Sequence, residues 1–440
     1  MFDKLIRIAR NNPDYAAAVL TGYGLIALQI VVQIFLVPLY LDRLGQYMFG
    51  ALMILFAYVS FAYTAINWLY GGLLRLMSER YAAQDREGLS RAFTAGKLCF
   101  VAFGVICGTG LVVFELGFST LFGDAADNVE GEILTALLLS VVHFLLLCEL
   151  AVEMALFAVV KRQALANLTA MIGLIVSVVA TVTWLLSGGG LAGVIGCFVL
   201  GDIVARVFCW VARHHQRIHT HWIWPSGWRD PAVKGLLAGQ ARHYFAYALI
   251  GMGLGADTLL IGLLGGATVT AQFVLVWKIA EVLILVLGRF PQHLQSELVE
   301  MDAKGDYTRI KRVYRHASRG MFLGAFALGA FYAIFGQWVV GLWIGFDRVP
   351  QNHWAYVLAG GAVFWLGMSR LQSVFAYSLV QLQPLVRLSA IELAMKLTLI
   401  FILYPYLGFL APLAAINIVY LCGVAYAYMT LNRSWAVSGP

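Results

Sequence analysis

Residues 274–291 read VLVWKIAEVLILVLGRFP, a run long enough to cross a bilayer as a helix, yet it carries Lys278, Glu281 and Arg289. An ionised side chain at the bilayer centre costs about 2.5–3.5 kcal/mol or more, so such residues face protein or water and meet a partner there. At about 100° per residue, Lys278 and Arg289 fall within roughly 20° of each other, with Glu281 about 60° to the side. The three share one face, spread over about 16 Å of helix axis. Val274, Val276, Ile279, Leu283 and Val286 make the other face. A cationic stripe tempered by one carboxylate can hold an anion. The structural alternative is a Lys278–Glu281 pair, with Arg289 reaching toward the headgroups.

Other ionisable residues sit in apolar runs. Arg242, Arg370 and Lys396 are cations of the same half of the chain. Glu392 precedes Lys396 by one turn and suffices to pair with it. Arg370 has no carboxylate nearby in sequence and needs a partner from another helix or from a ligand. Asp202 and Arg206, four residues apart, are expected to pair. Glu149 and Glu153 share a face with no cation on their helix, and Asp257 ends an apolar run on the outer side. With Glu281, these acids are candidates for coupling to H+ or Na+, because a buried carboxylate protonates readily. Gln29 and Gln33 share a face, and Asn67 follows in the next run; all three suit sugar hydroxyls or cross-helix hydrogen bonds. His214, His215, His219 and His221 fall in a polar linker, where solvation is expected rather than a metal site. The candidate substrate-binding set is Lys278, Arg289, Arg370, Arg242, Gln29, Gln33 and Asn67. No catalytic residue, metal or cofactor is expected.

The elements that position these residues follow from composition. The 440 residues are 61% hydrophobic and 12% charged, with mean hydropathy +0.81 and net charge +7. That leaves too little polar material for the skin of a soluble protein, so the solvent is lipid and the excess of cations belongs to loops rather than to nucleic acid binding. An apolar run of about 20 residues crosses a bilayer as a helix. Twelve such runs are expected: 15–41, 49–74, 98–122, 132–160, 164–186 and 191–211, then 241–264, 269–291, 320–345, 354–380, 388–407 and 411–431. With the N-terminus inside, the outer connections hold only Arg43 and Arg348, and the other loop cations, from Lys4 to Arg433, are all inside. This places both termini in the cytoplasm.

Residues 1–14 suit an interfacial amphipathic helix, 15–211 a first lobe, 212–240 a cytoplasmic linker, 241–431 a second lobe and 432–440 a cytoplasmic tail. Leu44-Gly45 aligns with Leu264-Gly265, and Asp85 and Gly88 with Asp302 and Gly305. The expected fold is an all-α polytopic membrane protein, about twelve transmembrane helices in two six-helix lobes related by a parallel pseudo-twofold repeat. Repeats of this kind build transporters whose binding site lies near the midplane. The six cysteines all lie in apolar runs and read as small buried residues.

The segment VPLYLDRLGQYMFGALMIL, with Pro38, Leu44-Gly45 and Phe49-Gly50, resembles the opening of bacterial polysaccharide flippases of the multidrug/oligosaccharidyl-lipid/polysaccharide (MOP) exporter superfamily. Asp257, the IGLLGG run from Ile261, Lys278 and Pro291 resemble a second signature of that family; Gln272 stands where an aromatic is common, and Phe273 follows. The resemblance covers essentially the whole chain. It implies a monomer of the bacterial inner membrane that flips a polyprenyl-diphosphate-linked oligosaccharide to the outer leaflet by alternating access, next to polysaccharide polymerase machinery. The diphosphate would rest among Lys278, Arg242, Arg289 and Arg370. A cation-coupled multidrug antiporter of the same superfamily is the nearest rival, although its cavity would favour acids. A membrane glycan-modifying enzyme is a more distant one: His143 lacks a partner motif, and the outer loops are too short to hold an active site.

Overall fold

Inside a bilayer the backbone must bond to itself, and a chain this apolar does so in helices. The computed structural model describes residues 13–118, 130–218, 220–225, 230–238, 241–292, 294, 298, 301–302, 304–378 and 382–437. The expected interfacial helix at 1–14 lies almost wholly outside them, and so does the end of the tail. The helices are α1 (Pro13–Ala82), α2 (Arg86–Phe118), α3 (Glu130–Val159), α4 (Gln163–Leu186), α5 (Leu191–His215) and α6 (Pro231–Ala238). They continue as α7 (Ala241–Gln292), α8 (Tyr307–Ile344), α9 (His353–Ser378), α10 (Leu382–Leu407) and α11 (Ala411–Val437). Two are far too long for one crossing, and each breaks at a glycine: α1 at Gly45 (φ 78°, ψ 170°) and α7 at Gly266 (φ 72°, ψ −172°). That conformation is open essentially to glycine alone. With both breaks counted and α6 set aside as too short, the chain makes twelve crossings.

The chain divides into two compact units, Met1–Ala248 and Leu249–Pro440. Both follow one plan, a glycine-broken pair of crossings and then four more. The repeat register differs from the sequence alignment. Gly45 corresponds to Gly266 rather than Gly265. Asp85, which accepts from Gly88 N (2.8 Å) to cap α2, corresponds not to Asp302 but to Asp306, which accepts from Arg309 N (3.0 Å) to cap α8. One separation in sequence relates both pairs, and with it the starts of α2–α5 fall within two residues of those of α8–α11. Similar glycines and aspartates nearby made a slipped alignment look as good.

In the first unit, Leu69, Leu73 and Met77 of α1 pack with Phe93 and Phe100 of α2 and with Phe144 and Val152 of α3. The linker, expected to be solvated, is packed in part. Its α6 adds Ala232, Val233 and Leu236 to that core. The backbone N–H groups of His221 and Ile223 donate to Ser90 Oγ and Thr94 Oγ1 of α2, at 3.2 Å each. His214, His215 and His221 remain exposed, and no metal-binding cluster exists among the described residues. In the second unit, α8 and α9 meet at Gly329 and Gly360, where a β-carbon on Gly329 would lie 2.6 Å from Gly360 O.

Candidate functional site

Two sets of intramembrane charges result, one in each unit. In the first, α3 and α5 run parallel and are joined by three rungs: His143–Asp202 (2.5 Å), Glu149–Arg206 (2.5 Å) and Glu153–Arg213 (3.2 Å). Lys97 of α2 closes the ladder from the side, 2.9 Å from Glu149 and 2.8 Å from Glu153. Arg206 also reaches Glu153 at 3.2 Å. The Phe93 ring lies beneath Lys97 and Arg213, 5.2 and 5.0 Å from its centroid. Arg213 further donates to Thr220 in the linker. Lys97, Glu153, His143 and Asp202 are all buried.

Two sequence expectations change here, and one is completed. Glu149 and Glu153, which have no cation on their own helix, receive three from α2 and α5. Asp202 pairs with His143 rather than with Arg206, since the parallel course of α3 and α5 sets each residue against its own rung. Lys97 is not a loop residue: its helix starts at Arg86, and the side chain is buried in the ladder. The signal for Lys97 was present, because the carboxylates four apart on α3 required a cation from another helix.

The second unit is organised differently. Past Gly266, α7 buries Ala271, Val274, Leu275, Ala280, Ile284 and Leu287, and Tyr332 of α8 donates to Val276 O at 2.6 Å. Its less packed side carries Lys278, Glu281 and Arg289, together with Leu285 and with Val286, which the sequence reading placed on the opposite face. Lys278 Nζ lies 2.9 Å from Glu281 Oε2, and the two side chains keep 24% and 44% of their surface accessible. The pair is formed, but it is open to further partners. Arg370 of α9 reaches the same helix: a β-carbon on Gly288 would sit 4.0 Å from Arg370 Cγ, so the arginine stem lies over Gly288, next to Arg289. Arg370 is partly buried and forms no ion pair among the described residues. Its electrostatic neighbour is the Tyr420 hydroxyl of α11, which also interacts with Glu392 and Asp257.

Lys396 has a nearer partner than Glu392. It pairs with Asp257 of α7, Nζ to Oδ1 at 2.7 Å, with both side chains 1% exposed. The distance is that of a strong ion pair although its angles miss hydrogen-bond geometry, and Asp257 Oδ2 has no donor among the described residues. Distance decides the Coulomb energy, so the contact counts as a salt bridge. Glu392 instead fills the notch left by Gly423 on α11. Gln29 and Gln33 are exposed on the first crossing of α1. The side chains of Asn67 and Arg242 lie outside those described.

No family model matches this sequence, and no curated protein matches it. Solved structures do. An inward-facing multidrug resistance MATE family transporter of the MOP superfamily aligns over 93% of this chain and 96% of its own, with TM-score 0.78 at 15% identity. The fold is that of the MATE transporters. An outward-facing member aligns over 96% of both chains (TM-score 0.65, 15% identity). The Vibrio cholerae MATE transporter VcmN, as a point mutant, aligns over 96% of this chain and 98% of its own (TM-score 0.63, 13% identity). In the first unit Lys97, Arg206 and Arg213 each meet a carboxylate, whereas in the second Arg370 meets none among the described residues.

Proposed function

We propose that the protein carries an anionic, lipid-linked substrate, a polyprenyl-diphosphate oligosaccharide, from the inner to the outer leaflet by alternating access. The observation that supports this most is Arg370, an arginine in a membrane crossing with no carboxylate partner among the described residues, its stem over Gly288 beside Arg289. An uncompensated charge in that setting is costly, and a phosphate that accepts from the guanidinium in bidentate fashion removes the cost. Lys278 adds a cation on the helix that carries Arg289, with Glu281 orienting it. The prenyl tail stays in lipid throughout, so only the headgroup needs a polar path. Fold neighbours occur in both inward- and outward-facing forms, which is what alternating access requires.

Coupling to H+ or Na+ falls to Asp257 in this reading. Glu149 and Glu153 are held by two or three cations each, whereas Asp257 meets one lysine and keeps an oxygen without a donor. A second reading, multidrug export, is favoured by the names of the fold neighbours. The two are separated by deleting the gene and mapping lipid-linked glycan across the leaflets. Diphosphate-linked oligosaccharide should build up on the cytoplasmic side, cured by wild type but not by Lys278→Ala or Arg370→Gln, with Lys278→Arg partly active. Normal glycan export with altered sensitivity to cationic drugs would refute flipping and favour the antiporter.

A further inference from the structure

α8 places its cations at the wrong end. The N-terminus of a helix is the positive end of its dipole and favours acids. Here the first turn holds no acid, and the cap falls to Asp306 alone. Arg309 follows within the first turn, where a cation works against the dipole, and Lys311, Arg312, Arg315 and Arg319 lie beyond it. Arg312, Arg315 and Arg319 are exposed and form no ion pair among the described residues. At about 100° per residue they cover an arc of roughly 60°.

That arc continues without a turn into apolar surface. Leu323 is 67% exposed and Phe326 58% exposed on the same side. Phe322 stacks on Phe326 at 6.2 Å, and Phe364 of α9 meets them edge-on at 5.3 and 6.4 Å. The apolar part of α8, residues 321–344, is about 36 Å long at 1.5 Å per residue, enough to span the hydrocarbon core. Arg319 therefore falls at the hydrocarbon edge, with Arg315 and Arg312 about 6 and 10 Å beyond it. The headgroup layer occupies about 5–7 Å on each side of the core. Arg319 and Arg315 stand in it, and Arg312 reaches back into it.

We propose that this strip is a binding site for anionic glycerophospholipid of the surrounding bilayer. The arginines take the phosphate and the aromatic floor takes an acyl chain. Guanidinium grips phosphate through two parallel hydrogen bonds and is less strongly hydrated than ammonium. The proposal does not depend on which substrate the protein carries.

The test uses the full-length protein in nanodiscs of phosphatidylcholine with a minority of phosphatidylglycerol. Lipid retained after transfer to detergent is measured by mass spectrometry. Wild type should be enriched in phosphatidylglycerol. Arg312→Gln/Arg315→Gln/Arg319→Gln should lose the enrichment by about fivefold for each arginine engaged, given about 1 kcal/mol per basic residue near an anionic surface. The single variant Arg315→Gln should fall between them, which separates lost binding from lost folding. A control that neutralises three exposed cations elsewhere, Arg86→Gln/Lys161→Gln/Lys234→Gln, should match wild type. Equal loss in the control, or none in the triple variant, would overturn the proposal. So would a triple variant that keeps phosphatidylglycerol but no longer retains added polyprenyl diphosphate, since the strip would then belong to the substrate.

Discussion

Glu153→Gln tests whether the first-unit ladder is structural. Glu153 is buried and serves Lys97, Arg206 and Arg213. The amide removes the charge at almost constant volume. Lys97 and Arg206 keep Glu149, but Arg213 loses its only carboxylate among the described residues. Breaking a buried pair costs about 3–5 kcal/mol, because an uncompensated charge is left behind. The surviving Glu149 puts this case near the lower end, at about 3 kcal/mol. For a unit of this size each kcal/mol moves the melting temperature by roughly 2–4 °C, so a fall of about 6–12 °C is expected. Thermal unfolding of the purified protein in detergent, followed by tryptophan fluorescence, measures it. Lys278→Ala is the comparison: its pair is partly exposed, such pairs contribute about 0–1 kcal/mol, and the shift should stay under about 4 °C while transport is lost. A Glu153→Gln shift no larger than that of Lys278→Ala would refute the division into a structural ladder and a functional face.

Further predictions concern other parts of the chain. Asp257→Asn alone and Lys396→Met alone should each cost about 3–5 kcal/mol, whereas Asp257→Leu with Lys396→Met should recover most of the loss in a melting assay; a double variant as unstable as either single one would contradict the pairing. If Asp257 carries the coupling ion, that stable double variant should no longer respond to an imposed ion gradient in proteoliposomes. Gly45→Ala and Gly266→Ala should each lower stability by about 1–3 kcal/mol, because their backbone conformation excludes a β-carbon; equal melting temperatures would show that the hinges tolerate another geometry. The Gly88 N–H, then Arg80, hold the Asp85 carboxyl below its ordinary pKa. The sign follows: the α2 cap is complete above the ordinary carboxylate range and is lost as pH falls through the depressed value. Hydrogen exchange at the Gly88 amide should therefore accelerate in strong acid, and Asp85→Asn should reduce that pH dependence.

The crossings were legible because span length is set by bilayer thickness and apolar runs show it directly. Gly45 was legible as a turn since few other residues occur at such breaks. The register of the repeat was not, since neighbouring glycines and aspartates allow a slip that only cap and hinge geometry corrects. Lys278 and Glu281 formed the pair their spacing allows. The pairings of Lys396 and Asp202 differed because spacing along one helix cannot weigh a closer partner on another. Arg370 was read as lacking a partner nearby in sequence, and the structure supplies no carboxylate from elsewhere among the described residues.

The glycine hinge has one more consequence. Counted onward from Gly266, the twelfth residue is Lys278; the twelfth beyond Gly45 is Ala57. Glu281 falls where the first copy has Ser60, and Arg289 where it has Trp68. The repeat thus preserves the joint and not the charges. A chain that inherits the same bend twice needs only one copy to specialise, and the other is released to become a rigid frame. Transplanting Lys278 and Glu281 onto Ala57 and Ser60 would give the two halves a symmetry of charge they lack, and whether such a chain still works would show how far they have settled into separate trades.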